Sequence, residues 1–396
     1  MKIEDLINKD FTYKWDVIEK IPEFAVLKTC EQNPRWHSEG NAWEHTKLVC
    51  NEAMRKVRLN KMFPLRKDGF QDKDGYYERF NMNFLTAALF HDIGKGVTTK
   101  LGRDGNWHSY GHEKEGEKIT RYLLWDEDIA DRELVCALVR WHMEPLHIFG
   151  HKDWVQEIIN ISYSCMWAML LDLEECDVKG SIKSEEEEVR SLDNEILENL
   201  RETIANKFDC LLNPCKIPLS KRNIPCERMR AQRDLGNPIS VKVLIGLSGA
   251  GKSTFIKKIN DGNAVVLSRD TIRTELGFCE EGEKVILEAS KEKKVSEVFD
   301  LRLVQAAKEG KNIIIDNLNL KKKYRDAYKN LLKNFNIVWE YVYVQAPTIE
   351  DNLKRRDGVL DEDIIKGMIF NLEWPVADEY DNIMFVVTDN NDGGQN

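Results

Sequence analysis

Apolar residues in the first 180 positions recur at three- and four-residue spacing. The pattern is clear through 83–90, through 134–139 and through 155–173. That period places one apolar stripe on each helix and predicts a mostly helical region. No convincing strand alternation interrupts it, and the Gly/Asp/Lys-rich stretches near 67–75 and 101–106 read as loops. After Gly180 the Glu185–Glu188 run reads as a solvated helix start, continued by Leu192, Ile196, Leu197 and Leu200. From Val241 the pattern changes to short β-branched or aromatic runs at 241–245, 264–267, 312–315, 337–344 and 383–387. Helical stretches at 252–260, 283–309, 321–334 and 361–371 separate them. Alternation of this kind predicts a mainly parallel sheet covered on both faces.

The fold class expected is therefore multidomain, an all-α domain followed by an α/β domain. The expected boundaries are 1–182 for the helical domain, 183–238 for a helical and basic linker, 239–390 for the α/β domain and 391–396 for a frayed tail. The linker contains Pro214, Pro218, Pro225 and Pro238, and six Lys/Arg against one Glu between Lys216 and Arg233. It is either a plain connector or one that also touches a polyanion. A length of 396 residues supports two cores. The net charge of −10 opposes nonspecific nucleic-acid binding but leaves room for a local basic patch. The charged start, MKIEDLINKD, is unlike a signal peptide, and no apolar run is long enough to span a membrane. Nine cysteines without a CxxC pair read as reduced thiols, so a cytoplasmic protein is expected.

The first chemical motif is Gly246-Leu247-Ser248-Gly249-Ala250-Gly251-Lys252-Ser253-Thr254, which follows an apolar strand and opens a helix. In that context GxxxxGKS is a phosphate loop. Its backbone N–H groups converge on a phosphate, Lys252 reaches the β- and γ-phosphates of ATP, and Ser253 offers a hydroxyl to Mg²⁺. Asp270 and Arg273 follow the second strand, at the end that faces the ligand crevice. There Asp270 can accept a hydroxyl proton, and Arg273 can hold an acceptor phosphate bidentately. A bare helix N-cap is the alternative for Asp270. Asp316 ends the third strand and can position Mg²⁺ through water or the acceptor. Arg355 and Arg356 can neutralise charge over the nucleotide or form a surface cluster.

Together GLSGAGKST, SRDTIR, IIIDNLN and the RR…EWP stretch resemble the 5′-hydroxyl polynucleotide kinase domain, over 241–390. The resemblance implies that Asp270 is the general base, that Arg273 contacts a 3′-side phosphate and that Asp316 organises the acceptor pocket. It also implies that Arg356 is a lid arginine on ATP. Phage-type members carry a further lid arginine where Asn352 stands here.

The second constellation is His45, His91-Asp92 in His-Asp-Ile-Gly-Lys, His112, His142 and Asp177. A His-Asp pair ending an apolar helix is costly unless paired or metal-bound. Neutral imidazoles and carboxylates suit first-row divalent ions such as Mn²⁺, Ni²⁺ or Co²⁺. Asp172 rivals Asp177, but five residues separate them by about 140° around a helix, so one site cannot use both. His108 can reach a substrate without being a ligand, and His37 has no evident partner. This set resembles the HD phosphohydrolase superfamily, and around His112 the HD domain attached to bacterial tRNA nucleotidyltransferases. That branch acts on 2′,3′-cyclic phosphates and 2′-phosphates. Lys95 is either a phosphate contact or a surface ion pair.

The two halves in this order resemble the bacterial HD-domain polynucleotide kinases, which heal broken RNA ends. The resemblance implies ATP, Mg²⁺ and one or two further divalent ions as cofactors. It also implies RNA ends, and possibly DNA 5′-hydroxyl ends, as substrates, with an RNA ligase acting downstream. A kinase of a small nucleoside or other metabolite, with an accessory HD nucleotidase, is the alternative.

Overall fold

A computed structural model describes residues 1–59, 76–182, 186–207, 238–280, 287–356 and 360–388. The basic part of the expected linker, the loop near 67–75 and the tail lie outside these residues. The chain divides into two units, Met1–Glu227 and Arg228–Asn396.

The first unit is built on helices α1 (Ala42–Arg58), α2 (Tyr76–Phe90), α3 (His112–Leu123), α4 (Ile129–Trp141), α5 (Trp154–Ser162), α6 (Trp167–Gly180) and α7 (Glu186–Lys207). Local chemistry fixes their starts. Asn41 accepts the Glu44 N–H at the head of α1, and Asp128 accepts the N–H groups of Ala130 and Asp131 at the head of α4. The α1 stripe Ala42, His45, Thr46, Val49, Cys50, Ala53 and Val57 is buried, as its spacing predicts. One strand pair departs from the all-helical expectation. Between α2 and α3, β1 (Lys100–Leu101) pairs antiparallel with β2 (Trp107–His108). Two residues per strand are too few for alternation to register in the sequence.

Helix α7 falls in the stretch expected as linker, yet it lies on the first unit. Its Leu197, Leu200 and Ile204 are buried, Arg201 reaches Asp172 at 3.3 Å, and Lys207 sits over the Trp154 ring at 4.9 Å.

The second unit is a five-stranded sheet of order β4-β5-β3-β6-β7, parallel throughout. Its strands are β3 (Ile239–Ile245), β4 (Ala264–Leu267), β5 (Asn312–Asp316), β6 (Ile337–Gln345) and β7 (Asn382–Val387). The helices that connect or flank them are α8 (Lys252–Ile259), α9 (Arg269–Glu275), α10 (Ala289–Lys308), α11 (Lys322–Leu331), α12 (Ile349–Lys354) and α13 (Glu362–Phe370). Leu244, Ile314, Val342 and Val344 form the core beneath α8. Because β3 is central and the order reverses beside it, β3, β4 and β5 deliver their carboxyl ends to one crevice.

Candidate metal centre and phosphate loop

Close backbone approaches assemble the first site. A Cβ on Gly94 would lie 2.0 Å from the His112 carbonyl oxygen, so only glycine lets the start of α3 press against the loop after His91-Asp92. A Cβ on Gly180 would lie 2.8 Å from the Val49 nitrogen, and its absence lets α6 carry Asp177 up to α1. The imidazoles are aimed by main chain. Nδ1 of His91, His112 and His142 lies 2.9, 2.9 and 2.8 Å from the carbonyls of Ala88, Ser109 and Val139. Each Nδ1–H donates there, which leaves each neutral ring with a bare Nε2 lone pair facing inward.

Two donor groups result. In one, His45 Nε2 is 2.9 Å from Asp177 Oδ1 and 3.3 Å from His91 Nε2. In the other, His112 Nε2 is 3.2 Å from both His142 Nε2 and Asp92 Oδ1. Asp92 joins them: Oδ1 faces His112 and His142, while Oδ2 lies 3.4 Å from His91 Nε2 and 3.6 Å from His45 Nε2. All of this is buried, with Asp177 least so.

The charges are tightly set. Burial alone would raise the Asp92 carboxyl, but Lys95, His91 and His112 hold it well below the usual carboxylate range. Burial likewise opposes ionisation of Asp177, and His45 more than offsets it. Burial opposes a charge on His45, but the carboxylates of Asp177 and Glu39 beside it outweigh burial and push it up to about 9. Burial, with His112 and His91 alongside, brings His142 down to about 3.

These residues fit a divalent ion at each group. The Nε2 atoms of His112 and His142 lie 3.2 Å apart with Asp92 Oδ1 beside them, an arrangement that a cation held between them satisfies. Asp92 Oδ2 is buried without a hydrogen-bond partner among the described residues, although Lys95 Nζ makes an ion pair with it at 2.6 Å. Asp172, the rival for Asp177, instead pairs with Lys56 at 2.8 Å.

Three placements differ from simple reading of the sequence. Lys95 is neither a surface ion pair nor turned outward: it is buried and held by Asp92 and Gln32. His37 has a partner, its Nδ1 lying 2.9 Å from Glu39 Oε1. Glu39 itself escaped notice. Its Oε1 is 2.8 Å from His45 Nδ1, off the ring's hydrogen-bonding direction, and its Oε2 accepts the Ile182 N–H just beyond α6. It ties the loop before α1 to the helix that carries Asp177. Nothing in the local sequence marks that tie, because it closes over more than a hundred residues.

The second site is formed by the loop between β3 and α8. Gly249 and Gly251 take left-handed φ values of +76° and +90°, and a Cβ on Gly246 would lie 2.2 Å from the Val344 carbonyl oxygen. Lys252 Nζ donates to the carbonyls of Gly246 and Leu247. Ser253 Oγ donates to Asp316 Oδ2 at 3.2 Å, joining the loop to the end of β5. Burial raises the Asp316 carboxyl, against the pull of Lys252 and Ser253.

Asp270 is not the cap of α9. That position is Ser268, and the Arg269 N–H donates instead to Asn317 Oδ1 at 3.0 Å. The Asp270 side chain is 85% exposed and paired with Arg273, so a carboxylate stands open to solvent in the first turn. Arg273 is also gripped by Glu292 of α10, which holds Arg269 as well. Glu292 was not legible from the sequence because α10 lies outside every motif. Arg356 contributes to the field at Asp316, whereas Arg355 is spent on Thr388 and the Gly249 carbonyl. Asn352 is fully buried with its amide donating to the Ser248 carbonyl at 2.8 Å. In place of a lid arginine, this chain has a strut under the phosphate loop. Asp357 and Gly358 lie outside the described residues.

With this geometry in place, residues 72–180 match the family model of the HD domain and residues 241–374 that of an AAA domain. The chain carries an HD domain followed by a P-loop domain. The HD match begins downstream of His45, which the fold returns to the site. A protein of Autographa californica nuclear polyhedrosis virus, named “Putative bifunctional polynucleotide kinase/RNA ligase”, is 25% identical over 243 residues. That is 56% of this chain and 31% of the viral one, so the chain spans about a third of this relative's length. Among solved structures, a Pnkp1/Rnl/Hen1 complex overlaps 32% of this chain and 42% of its own at 18% identity and a TM-score of 0.28. A gluconokinase from Sinorhizobium meliloti overlaps 39% of this chain and 85% of its own at 16% identity and a TM-score of 0.30. Overlaps this slight carry no functional weight. Among the described residues no helix is long and apolar enough to cross a membrane.

Proposed function

We propose that this protein heals both ends of a broken RNA strand. The observation that carries the reading is the pairing, on one chain, of a carboxylate shared by two histidine groups with a phosphate loop bonded to Asp316, whose carboxyl also feels the charge of the exposed Asp270 beside Arg273. The first is suited to hydrolysing a phosphoester and the second to phosphorylating a hydroxyl that neighbours a phosphate. An RNA break with a 2′,3′-cyclic phosphate and a 5′-hydroxyl presents both. The viral relative named as a polynucleotide kinase supports the same substrate class.

In the kinase site the oxygen of a 5′-hydroxyl attacks the γ-phosphorus of ATP, and Asp270 accepts its proton. The new O–P bond forms as the bond to the β-phosphate oxygen breaks, and ADP leaves. Lys252 and Arg356 neutralise charge on the transferring group, Arg273 holds the acceptor's 3′-side phosphate, and Asp316 orients Ser253 toward Mg²⁺. In the HD site, His45, His91, Asp92 and Asp177 would hold one divalent ion, and Asp92, His112 and His142 a second. Such ions supply an activated water and Lewis-acid stabilisation of a leaving oxygen. Water first opens the cyclic diester, chiefly to a 2′-phosphate, and a second water releases that phosphate. Lys95 holds Asp92 ionised throughout.

The test is incubation of the protein with ATP, Mg²⁺ or Mn²⁺, and RNA bearing 5′-hydroxyl and 2′,3′-cyclic phosphate ends. Both ends should change, to a 5′-phosphate and a 2′,3′-diol. Asp270→Ala should lower 5′ phosphorylation by about 10²–10⁴-fold and leave cyclic phosphate hydrolysis intact. His91→Ala should do the reverse. Equal phosphorylation of a free nucleoside and an oligonucleotide would favour the metabolite-kinase alternative, and no change at either end would overturn the proposal.

A further inference from the structure

Two residues before His112, the chain presents an aromatic surface that neither the metal site nor the core uses. Tyr110 is 82% exposed, and its hydroxyl makes no hydrogen bond among the described residues. Its ring lies parallel to that of His108, centroids 5.0 Å apart and 10° between the planes. The stack is braced from below. His108 Nε2 is 2.9 Å from Asp104 Oδ2 across the β1–β2 turn, and a Cβ on Gly102 would lie 2.7 Å from the imidazole, so the turn closes directly on that ring. Ser109, between the two rings, is fixed twice. Its hydroxyl is 2.8 Å from Thr99 Oγ1, and its carbonyl accepts the Nδ1–H of His112. Gly111, at φ +78°, then turns the chain so that His112 enters the buried site while Tyr110 stays outside.

Solvating a whole tyrosine ring while holding it rigid gains nothing for the core. An open π-face stacked on His108, two residues along the chain from a metal-directed histidine, is a surface that a flat ligand held at that histidine can use. Resting on the reading of the HD site as a nucleotide phosphohydrolase, we propose that Tyr110, backed by His108, stacks the nucleobase of the terminal nucleotide whose phosphate is hydrolysed. Stacking accepts every base, since each has a π-face, so the platform selects nucleotides over simpler phosphoesters without reading sequence.

The experiment compares Tyr110→Ala, Tyr110→Phe and the unsubstituted protein on two substrates, a nucleoside 2′,3′-cyclic phosphate and the base-free ribose 2,3-cyclic phosphate. It also measures equilibrium binding of a fluorescent oligonucleotide with a 3′-terminal nucleotide or a terminal abasic ribose. Tyr110→Ala should raise KM for the nucleoside substrate by about tenfold with kcat little changed. It should leave the base-free substrate unaffected, and Tyr110→Phe should restore the nucleoside KM. An equal loss on both substrates would show that Tyr110 only supports His112, and no loss on either would show that the base does not stack there. Either result overturns the platform with the hydrolase reading intact. Conversely, if no cyclic phosphate is opened yet Tyr110→Ala abolishes a base-dependent gain in binding, the platform stands and the reaction assigned to the site fails.

Discussion

The two sites solve opposite problems. In the HD site three of the four histidines are locked by main-chain carbonyls, and Asp92 is buried between two facing sets of donors. In the P-loop site the reactive groups are paired with one another or with the loop. Lys252 bonds loop carbonyls, Ser253 bonds Asp316 and Asp270 bonds Arg273, largely in reach of solvent. A site that retains an ion gains from rigidity, because the cost of gathering its donors is met on folding. A site that must admit and release ATP on every turnover gains from weak internal pairs that the ligand replaces. Substitutions should therefore spread through the first site and remain local in the second.

Asp92→Asn should have the largest effect. It removes the charge that faces both donor groups, so metal content by elemental analysis should fall well below two equivalents and cyclic phosphate hydrolysis should be lost with it. Kinase activity should remain within about twofold. Retention of two equivalents of metal would refute the shared role of Asp92.

Gly94→Ala tests the rigidity itself. A methyl 2.0 Å from the His112 carbonyl oxygen must push α3 away. Overpacking of this kind costs about 1–3 kcal/mol, and the His112–His142 pair should separate from Asp92. Melting of the HD unit at lower temperature, with weaker metal retention, is expected. An unchanged crystal position of His112 would show that the contact is not what places it.

How much of this was open to reading depends on the range of each interaction. The phosphate loop was legible because its chemistry is contiguous: glycines, lysine and serine act within nine residues, after a strand whose apolar run announces it. Helical geometry forbade one site from using both Asp172 and Asp177, and the resemblance of the Asp177-Val178-Lys179-Gly180 stretch to the last aspartate of the HD pattern favoured Asp177. Glu39, Gln32, Glu292 and Asn317 were not legible, because the contacts that place them close over 19 to 143 residues with no period. Lys95 was visible but misjudged in surroundings: the sequence gives a lysine three residues from an aspartate, while only the fold shows both buried.

A smaller effect isolates one of those hidden residues. Glu39→Gln keeps the size of the side chain but removes the charge beside His45. Loss of an outer carboxylate behind a metal-directed histidine weakens metal binding by about 10–100-fold. Titration of Mn²⁺ or Co²⁺ should show this at one of two sites, while the His112–His142 site keeps its affinity. Equal weakening of both would mean that Glu39 serves the fold and not His45.

Asp316 should give the smallest shift and the sharpest contrast between the sites. Burial raises its pKa, so its ionised form is disfavoured in the fold relative to the unfolded chain. The stability this carboxyl contributes is full below its unfolded value of about 3.9 and is lost as pH rises through the raised folded value. Asp316→Asn cannot lose it. At neutral pH the variant's P-loop unit, recognised by its upward shift with ATP, should melt a few degrees above the unsubstituted protein while phosphorylating far more slowly. The gap should close as pH falls below about 4, where both side chains are neutral. In the HD site the same logic has the opposite sign, since Asp92 and Asp177 are held below the usual carboxylate range by their partners. A gap at Asp316 that widened in acid would place it with them, as a carboxylate the fold favours ionised, and would remove the strain that now distinguishes the phosphate-loop site.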